Sequence, residues 1–106
     1  MVMLHEIAHC RAGDKGDTSI LSLFPYRDEL FEQLVREVTA DRVREHLAGQ
    51  VHGEVVRYVL PNLCALQFCC RQALDGGVTT SLALDTHGKG LSFRLLSMTV
   101  DLEEWR

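Results

Sequence analysis

A short stretch near the N-terminus concentrates the residues that could do chemistry. Arg11 and Lys15 supply positive charge, and Thr18 supplies a hydroxyl group. Gly13 and Gly16 allow the backbone to turn and to expose its N–H groups. Exposed N–H groups beside cations bind phosphate or carboxylate. The stretch therefore predicts an anion-binding loop, with candidate ligand-binding residues Arg11, Gly13, Asp14, Lys15, Gly16, Asp17 and Thr18.

Two aspartates lie within the same stretch and argue against simple anion capture. Asp14 and Asp17 either hold Arg11 and Lys15 in place or accept protons from a ligand. The spacing is not that of a Walker A loop, because the lysine precedes the second glycine. The alternative is a tight turn between two strands, closed by its own ion pairs. Exposed ion pairs contribute only ~0–1 kcal/mol, so stability is a poor reason for this density of charge and binding is favoured.

A zinc-peptidase signature, H-E-x-x-H, occurs at His5, Glu6 and His9. The chemistry requires an α-helix, because only a helix brings histidines at i and i+4 together. We expect a strand here, which would separate His5 and His9 by about 13 Å, too far for zinc bonds of ~2 Å. The longer peptidase pattern also fails, since Ala12 and Lys15 replace its glycine and histidine. We predict no metal site here.

The cysteines suit neither a metal site nor a disulfide framework. They show no C-x-x-C spacing, and two of them are adjacent. We expect Cys10 to be buried, although the neighbouring Arg11 could lower its pKa if the two side chains met. His46 and His52 have no obvious partner and are expected to be solvated. No cofactor is predicted. The cysteines are Cys10, Cys64, Cys69 and Cys70.

Apolar periodicity predicts the elements that must position the loop. A strand leads into the loop and another leads out of it. Two helices follow, capped by Asp28 and Thr39, the second stopping at Gly49. A third helix is capped by Asn62. The predicted strands are Leu4–Cys10, Ile20–Phe24, Gly53–Leu60, Thr79–Asp85 and Ser97–Leu102; the third helix covers Asn62–Leu74; turns cover Asp75–Gly77 and His87–Gly90; and a short helical turn around Leu91 precedes the last strand.

This order predicts an α+β two-layer sandwich, with a largely antiparallel sheet and helices on one face. The strand Gly53–Leu60 is apolar on both faces, so it is either covered on both or lies in an interface. The chain has 106 residues, which suits a single domain over residues 1–106.

Composition excludes several classes of function. A net charge of −4 argues against nucleic acid as a partner. No apolar run approaches the ~20 residues that span a bilayer, so no membrane association is expected. The N-terminus does not have the form of a signal peptide. A cytosolic location is the resulting expectation.

Several ordered motifs together resemble a known family, the small ferredoxin-like domain of AtuA-type acyclic terpene utilisation proteins. The resemblance covers nearly the whole chain and includes an R-[SA]-G-D-K-G-D loop and an L-P-N-L-x-A-x-x-F segment. The residues that carry it are Arg11–Asp17, Thr39–Val43, Val51–Tyr58, Leu60–Leu63 with Ala65 and Phe68, Gly76–Thr79 with Ser81 and Leu82, and Asp85 with Gly88 and Lys89.

The resemblance implies a ferredoxin-like α+β fold, a name that describes topology and not iron. It also implies a role in the catabolism of branched acyl or terpenoid compounds beside a larger AtuA-type protein. At the loop it carries over Arg11, Asp14, Lys15 and Asp17. The chain departs from the family pattern at Ala12 in place of serine, Ile20 in place of asparagine, Cys64 in place of histidine and Gln67 in place of asparagine.

These observations lead to one main hypothesis and two alternatives. The main hypothesis is an accessory or ligand-binding subunit, expected to form a homo-oligomer, whose Gly13–Asp17 loop meets an anionic ligand or a site on an AtuA-type large subunit. The first alternative is an enzyme acting alone on an acyl-CoA-like substrate, with Asp14 or Asp17 as base and Lys15 or Arg11 as electrostatic stabiliser. The second is a structural oligomerisation domain.

Overall fold

A computed structural model describes residues 1–72 and 87–102. Strands and helices are numbered separately in chain order. The strands are β1 (Val2–Met3), β2 (Ala8–Lys15), β3 (Thr18–Pro25), β4 (Val55–Leu60), β5 (Ala65–Cys70) and β6 (Thr99–Val100). The α-helices are α1 (Phe31–Glu37), α2 (Ala40–His46) and α3 (His87–Leu96), and short 3-10 helices cover Leu4–Glu6, Asp28–Leu30 and Pro61–Leu63.

The described strands form two antiparallel sheets. The larger sheet has four strands in the order β2-β3-β5-β4, and the smaller pairs β1 with β6. Register across the larger sheet is fixed by the pairs Arg11–Ser22, Ser22–Gln67 and Gln67–Tyr58. The predicted α+β class with antiparallel pairing is confirmed.

The core lies between one face of the larger sheet and the helices. Leu21 and Leu23 of β3 alternate with less buried residues, as period-two side-chain alternation requires. Phe68 of β5 is fully buried on the same face. Helix residues from α1, α2 and α3 join them in one cluster: Leu34, Val38, Val43, Leu91 and Leu95. The helices therefore cover this face.

The helix ends show which predicted caps form. The Thr39 hydroxyl accepts a hydrogen bond from the Arg42 backbone N–H at 3.2 Å, so this cap is confirmed. Asp28 caps nothing, because a 3-10 turn intervenes and the N-cap of α1 is Leu30. Gly49 lies in the turn after α2, which ends at His46.

A bulge leads into β4 and fixes its pairing with β5. Gly53 N–H donates to the Arg71 carbonyl at 3.0 Å, and Arg71 N–H donates to the Glu54 carbonyl at 3.0 Å, so two residues face one. A Cβ on Gly53 would lie 2.8 Å from the Arg71 carbonyl oxygen. Only glycine fits this approach without a backbone shift.

The prediction of a helix over Asn62–Leu74 is wrong for the described part of that range. Pro61–Leu63 forms one 3-10 turn, Cys64 takes a left-handed conformation with φ 49°, and β5 follows. Leu66, Phe68 and Cys70 are buried at alternate positions, which is a strand period. Leu63, which would lie on the apolar face of such a helix together with Leu66 and Cys70, is 65% exposed.

Other boundaries also differ from the prediction. The turn predicted at His87–Gly90 is the start of α3. The strand that leads into the loop, β2, begins at Ala8 and runs to Lys15, after a 3-10 turn at Leu4–Glu6. The last strand is reduced to Thr99–Val100. The predictions for Ala73–Asp85 lie outside the described residues.

None of the described helices is long and apolar enough to cross a membrane.

Candidate functional site

The charged stretch forms a β-hairpin, so the predicted turn between two strands is present. β2 and β3 pair along their whole length, closing with Lys15 opposite Thr18. Gly16 and Asp17 make the connection, and Gly16 has a φ of +67°. A positive φ at the first residue of such a turn is typical of glycine, because other residues would clash there. The hairpin therefore presents the predicted site residues at the end of a well-paired pair of strands.

Three charged residues of this hairpin have no charged partner within the described part of the chain. Arg11, Asp14 and Asp17 are exposed, and none of them joins an ion pair or a side-chain hydrogen bond within the described part of the chain. Strand alternation explains part of this, because positions 11 and 14 fall on opposite faces of β2. The alternative of a turn closed by its own ion pairs therefore gains no support from these three residues.

The backbone at the hairpin end is open. A Cβ at Gly13 or at Gly16 would meet nothing within 4 Å. The positive φ of Gly16 explains why that residue is glycine. Gly13 does not have a positive φ, so its conformation does not require glycine. The Ser19 hydroxyl donates to the Gly13 carbonyl at 3.4 Å, which anchors the β2 side of the hairpin. A strand glycine with free space above it often marks a place where another chain or a ligand approaches.

Arg11 belongs to a larger surface, the face of the four-stranded sheet that points away from the helices. We call it the open face. Its members are exposed or half-buried except for Ala65, which is buried, and none of them belongs to the core cluster. They are His9, Arg11 and Gly13 of β2; Ile20, Ser22 and Phe24 of β3; Val56, Tyr58 and Leu60 of β4; and Ala65, Gln67 and Cys69 of β5.

A polar row crosses the middle of the open face. Cross-strand pairing aligns Arg11 with Ser22, Gln67 and Tyr58, one residue from each strand. The Gln67 side-chain amide donates to the Ser22 hydroxyl at 3.4 Å. The row thus holds a guanidinium at one end, a phenol at the other and an amide–hydroxyl pair between them.

Apolar side chains flank the polar row on both sides. Towards the hairpin turn lie Gly13, Ile20, Cys69 and Val56; on the other side lie His9, Phe24, Ala65 and Leu60. The His9 ring stacks on Phe24, with centroids 5.1 Å apart, and on Tyr26 at 5.5 Å. This face combines apolar area with a few aligned polar groups, as recognition surfaces do.

The family comparison agrees with the fold. The family model described as the AtuA ferredoxin-like domain matches residues 2–101 of the 106-residue chain. The chain belongs to the AtuA ferredoxin-like domain family. Neither a curated protein nor a solved structure matches it. The predicted family and the ferredoxin-like α+β fold are thereby confirmed.

Two positions at which the resemblance implies a different residue, asparagine in each case, lie on the open face of this AtuA-like domain. Ile20 is beside the polar row and Gln67 is in it. The sequence suggested no link between these positions and Arg11, because residues 62–74 were predicted to be helical. The structure brings Gln67, Ser22 and Tyr58 into line with Arg11, and the sequence reasoning missed all three as candidate site residues. The sequence signal that could have identified them is the alternation of Leu66, Phe68 and Cys70 with other residues, which is the period of a β-strand.

The buried thiols of the domain are not poised for chemistry. Burial raises the pKa of Cys10 to about 12, with a smaller contribution from the nearby Cys70 thiol. Burial and then the neighbouring Cys69 raise the pKa of Cys70 to about 12. The thiolate is the nucleophilic form, so little of it forms at either position near neutral pH. Cys10 is half-buried and not fully buried as predicted, but its pKa is raised, so the prediction that Arg11 does not activate it is confirmed.

A second polar cluster lines an open cleft of about 310 Å³ between α2 and the segment after α3. The side chains of this cluster form hydrogen bonds that join these elements. Arg42 donates to the Thr99 carbonyl at 2.7 Å and to the Glu37 carbonyl at 2.9 Å. His46 Nε2 lies 2.8 Å from the Arg94 carbonyl oxygen and 3.0 Å from the Ser97 hydroxyl. The expectation that His46 is simply solvated is wrong, whereas His52 is exposed.

The zinc-peptidase motif lacks its required helix. His5 lies in a 3-10 turn and His9 lies in β2, so the two rings are not on one face of an α-helix. His9 instead stacks between aromatic rings on the open face.

Proposed function

We propose that this domain is an accessory, ligand-binding subunit that works with an AtuA-type large protein on branched acyl or terpenoid compounds. The end of the β2–β3 hairpin meets an anionic ligand, such as the phosphate of an acyl-CoA or a carboxylate, or completes a site on the large protein. Family membership supports the setting. The exposed, internally unpaired charges of the hairpin carry the proposal.

The hairpin is suited to binding because its strands are fully paired and because Arg11, Asp14 and Asp17 are exposed without a charged partner among the described residues. β2 pairs with β3 over eight residues on each strand, which limits the conformational entropy lost on binding. Ion pairs at such an exposed place would add little stability, so charge density there is better explained by an external partner. Arg11 and Lys15 provide the cations, and Gly16 provides an open backbone.

Binding is tested with coenzyme A and 3-methylbutanoyl-CoA by isothermal titration calorimetry, and with a purified AtuA-type large protein by co-purification. Lys15→Ala should abolish binding and leave the melting temperature nearly unchanged. Arg44→Ala, which removes an exposed cation from α2, is the matched control and should bind as the wild type does. The proposal is overturned if neither probe nor the large protein binds, or if Lys15→Ala binds normally.

Catalysis by the domain alone has weaker support. A general base works best in a site that excludes water, whereas Asp14 and Asp17 are exposed at the hairpin end. Turnover of an acyl-CoA panel by the isolated protein, lost in Asp14→Asn or Asp17→Asn, would replace the accessory role with an enzymatic one.

A further inference from the structure

We propose that the open face is an interface between two copies of this chain, packed sheet to sheet about a two-fold axis that runs parallel to the strands. The open face presents half-buried apolar side chains that the described helices leave uncovered. Paired sheets pack about 10 Å apart with their strands within about 30° of one another. The second copy is inferred from the self-complementary order of the residues on this face.

The polar row is complementary to its own reversed copy. A two-fold axis parallel to the strands, between β3 and β5, reverses the row from end to end. Arg11 then faces Tyr58 of the second copy, and Ser22 faces Gln67 of the second copy. A guanidinium over a phenol ring is a favourable cation–π pair, and a hydroxyl facing an amide can exchange hydrogen bonds.

One pair in the flanking rows matches in size under the same operation. Val56 faces Gly13 of the second copy, above which the structure leaves free space. The close approach of a second chain would explain why this position is glycine, because the backbone conformation of Gly13 does not require glycine.

The remaining pairs in these rows are also compatible. Ile20 faces Cys69, and His9 faces Leu60. The flanking rows therefore bring mostly apolar residues together, with His9 as the exception.

The alternative axis, perpendicular to the strands, is unfavourable. It places Arg11 against Arg11 of the second copy, and like charges in contact cost free energy. It also places Phe24 against Ile20 and leaves Ala65 against Cys69, so large side chains meet large ones and small meet small. Charge and size both select the axis parallel to the strands.

The size of the face predicts a weak dimer. Four strands spaced at ~4.8 Å and five residues at ~3.4 Å give a footprint of about 19 Å by 17 Å. This is smaller than a standard specific interface. We expect a dissociation constant of roughly 10–100 μM, so concentration must be varied in the test.

The dimer leaves most of the proposed hairpin site accessible. The axis keeps both hairpin ends at the same end of the dimer, where Gly13 borders the packed face and residues 14–17 lie beyond it. A guanidinium stacked by its plane keeps N–H donors at its edge, so Arg11 can serve both roles. Variants of β4 therefore test the dimer without altering the Gly13–Asp17 loop.

Sedimentation velocity of the full chain over about 1–300 μM provides the first measurement. The wild type should pass from monomer to dimer in this range. Tyr58→Asp, on the open face at 50% exposure, should weaken dimerisation at least ~10-fold. Val59→Asp is the matched control, because Val59 is adjacent, 39% exposed and on the opposite face of β4. It should leave dimerisation unchanged.

A charge exchange tests the pairing itself. Arg11→Glu should weaken the dimer, and Tyr58→Arg should weaken it by placing two guanidinium groups together. The double variant Arg11→Glu/Tyr58→Arg should restore dimerisation to within ~3-fold of wild type, through a carboxylate–guanidinium pair. Residues 11 and 58 are separated by three strand spacings within one chain, about 14 Å, so restoration requires two molecules.

Four results would overturn the proposal: a wild type that stays monomeric at 300 μM, a Val59→Asp variant as impaired as Tyr58→Asp, a double variant no better than its single parents, or a folded Tyr58→Asp variant that dimerises normally. Loss of large-protein binding in Tyr58→Asp, with a monomeric wild type, would assign the face to that partner and not to a second copy. Circular dichroism of each variant checks that the fold is intact.

Discussion

Arg57 is expected to be a major stabilising residue of the domain, because it joins β4 to the end of α1. Its Nη1 atom donates to the Val35 carbonyl at 2.7 Å and to the Val38 carbonyl at 3.0 Å. The last carbonyls of a helix have no partner within the helix and carry its negative dipole end. A half-buried guanidinium therefore satisfies two acceptors and their dipole together.

Removing this side chain should be costly. Hydrogen bonds that involve a charged group contribute ~1.5–3 kcal/mol, and unsatisfied acceptors add a desolvation cost. We expect Arg57→Ala to lower the free energy of unfolding by about 2 kcal/mol, out of a total of ~5–15 kcal/mol. In a domain of this size, that loss lowers the melting temperature by roughly 10 °C.

Urea denaturation followed by circular dichroism measures the loss, and calorimetry checks the shift in melting temperature. Arg57→Lys keeps the charge but loses the planar fork, so it should recover about half of the lost free energy. Arg44→Ala, an exposed arginine on α2, should change stability by less than ~0.5 kcal/mol. If Arg57→Ala is as mild as Arg44→Ala, the bridge to α1 contributes nothing and the reasoning is refuted.

Three further predictions concern single positions. Thr39→Ala removes the N-cap hydrogen bond of α2 and should cost about 1 kcal/mol in urea denaturation; Thr39→Ser should lose much less, and equal losses would exclude the cap. Gly16→Ala should lower the stability of the monomer by about 1 kcal/mol because of the +67° φ, whereas Gly13→Ala, with free space around it in the monomer, should leave monomer stability unchanged or slightly raised; the reverse order would contradict the hairpin geometry. The thiols of Cys10 and Cys70 should react with iodoacetamide at pH 8 only after unfolding, since their pKa values are raised to about 12. Because the folded pKa exceeds the unfolded value of 9.0, this contribution to stability is full below pH 9 and declines as pH rises towards 12; pH-dependent denaturation showing no such decline would count against it.

The hairpin and the first helices were predictable because their signals are local. Glycines, flanking apolar runs and a threonine cap act over a few residues. The stripe through Leu34 and Val38 needs only the helical period, and both residues are buried. The site residues in the hairpin follow from the same local pattern, so Arg11 could be selected from the sequence alone.

The β5 strand could not be predicted locally because its apolar residues fit two periods. Leu63, Leu66 and Cys70 match a helical stripe, whereas Leu66, Phe68 and Cys70 match a strand. The structure selects the strand, which pairs with both β3 and β4 and satisfies backbone groups on both sides. That pairing is non-local, so propensity within the segment does not reveal it.

The polar row could not be predicted from the sequence for the same reason. Its four members come from separate strands and depend on register, which the sequence does not display. Arg11 was selected for its charge, but Ser22 and Tyr58 have ordinary residue types that mean little until the strands are aligned. The start of α3 at His87, within a glycine-containing segment, shows the related case in which burial of Leu91 and Leu95 outweighs local preference.

Gly53 affects which side chains lie on each surface of the larger sheet. The bulge at Gly53 and Glu54 sets the phase of side-chain alternation along β4, and the Arg71 carbonyl leaves no room for a Cβ there. A slip of one residue would send Arg57 outwards and Tyr58 inwards. The domain would then lose both the hydrogen bonds from Arg57 to α1 and the Tyr58 phenol on the open face. The absence of a Cβ at Gly53 therefore determines which side chains each surface of the sheet presents.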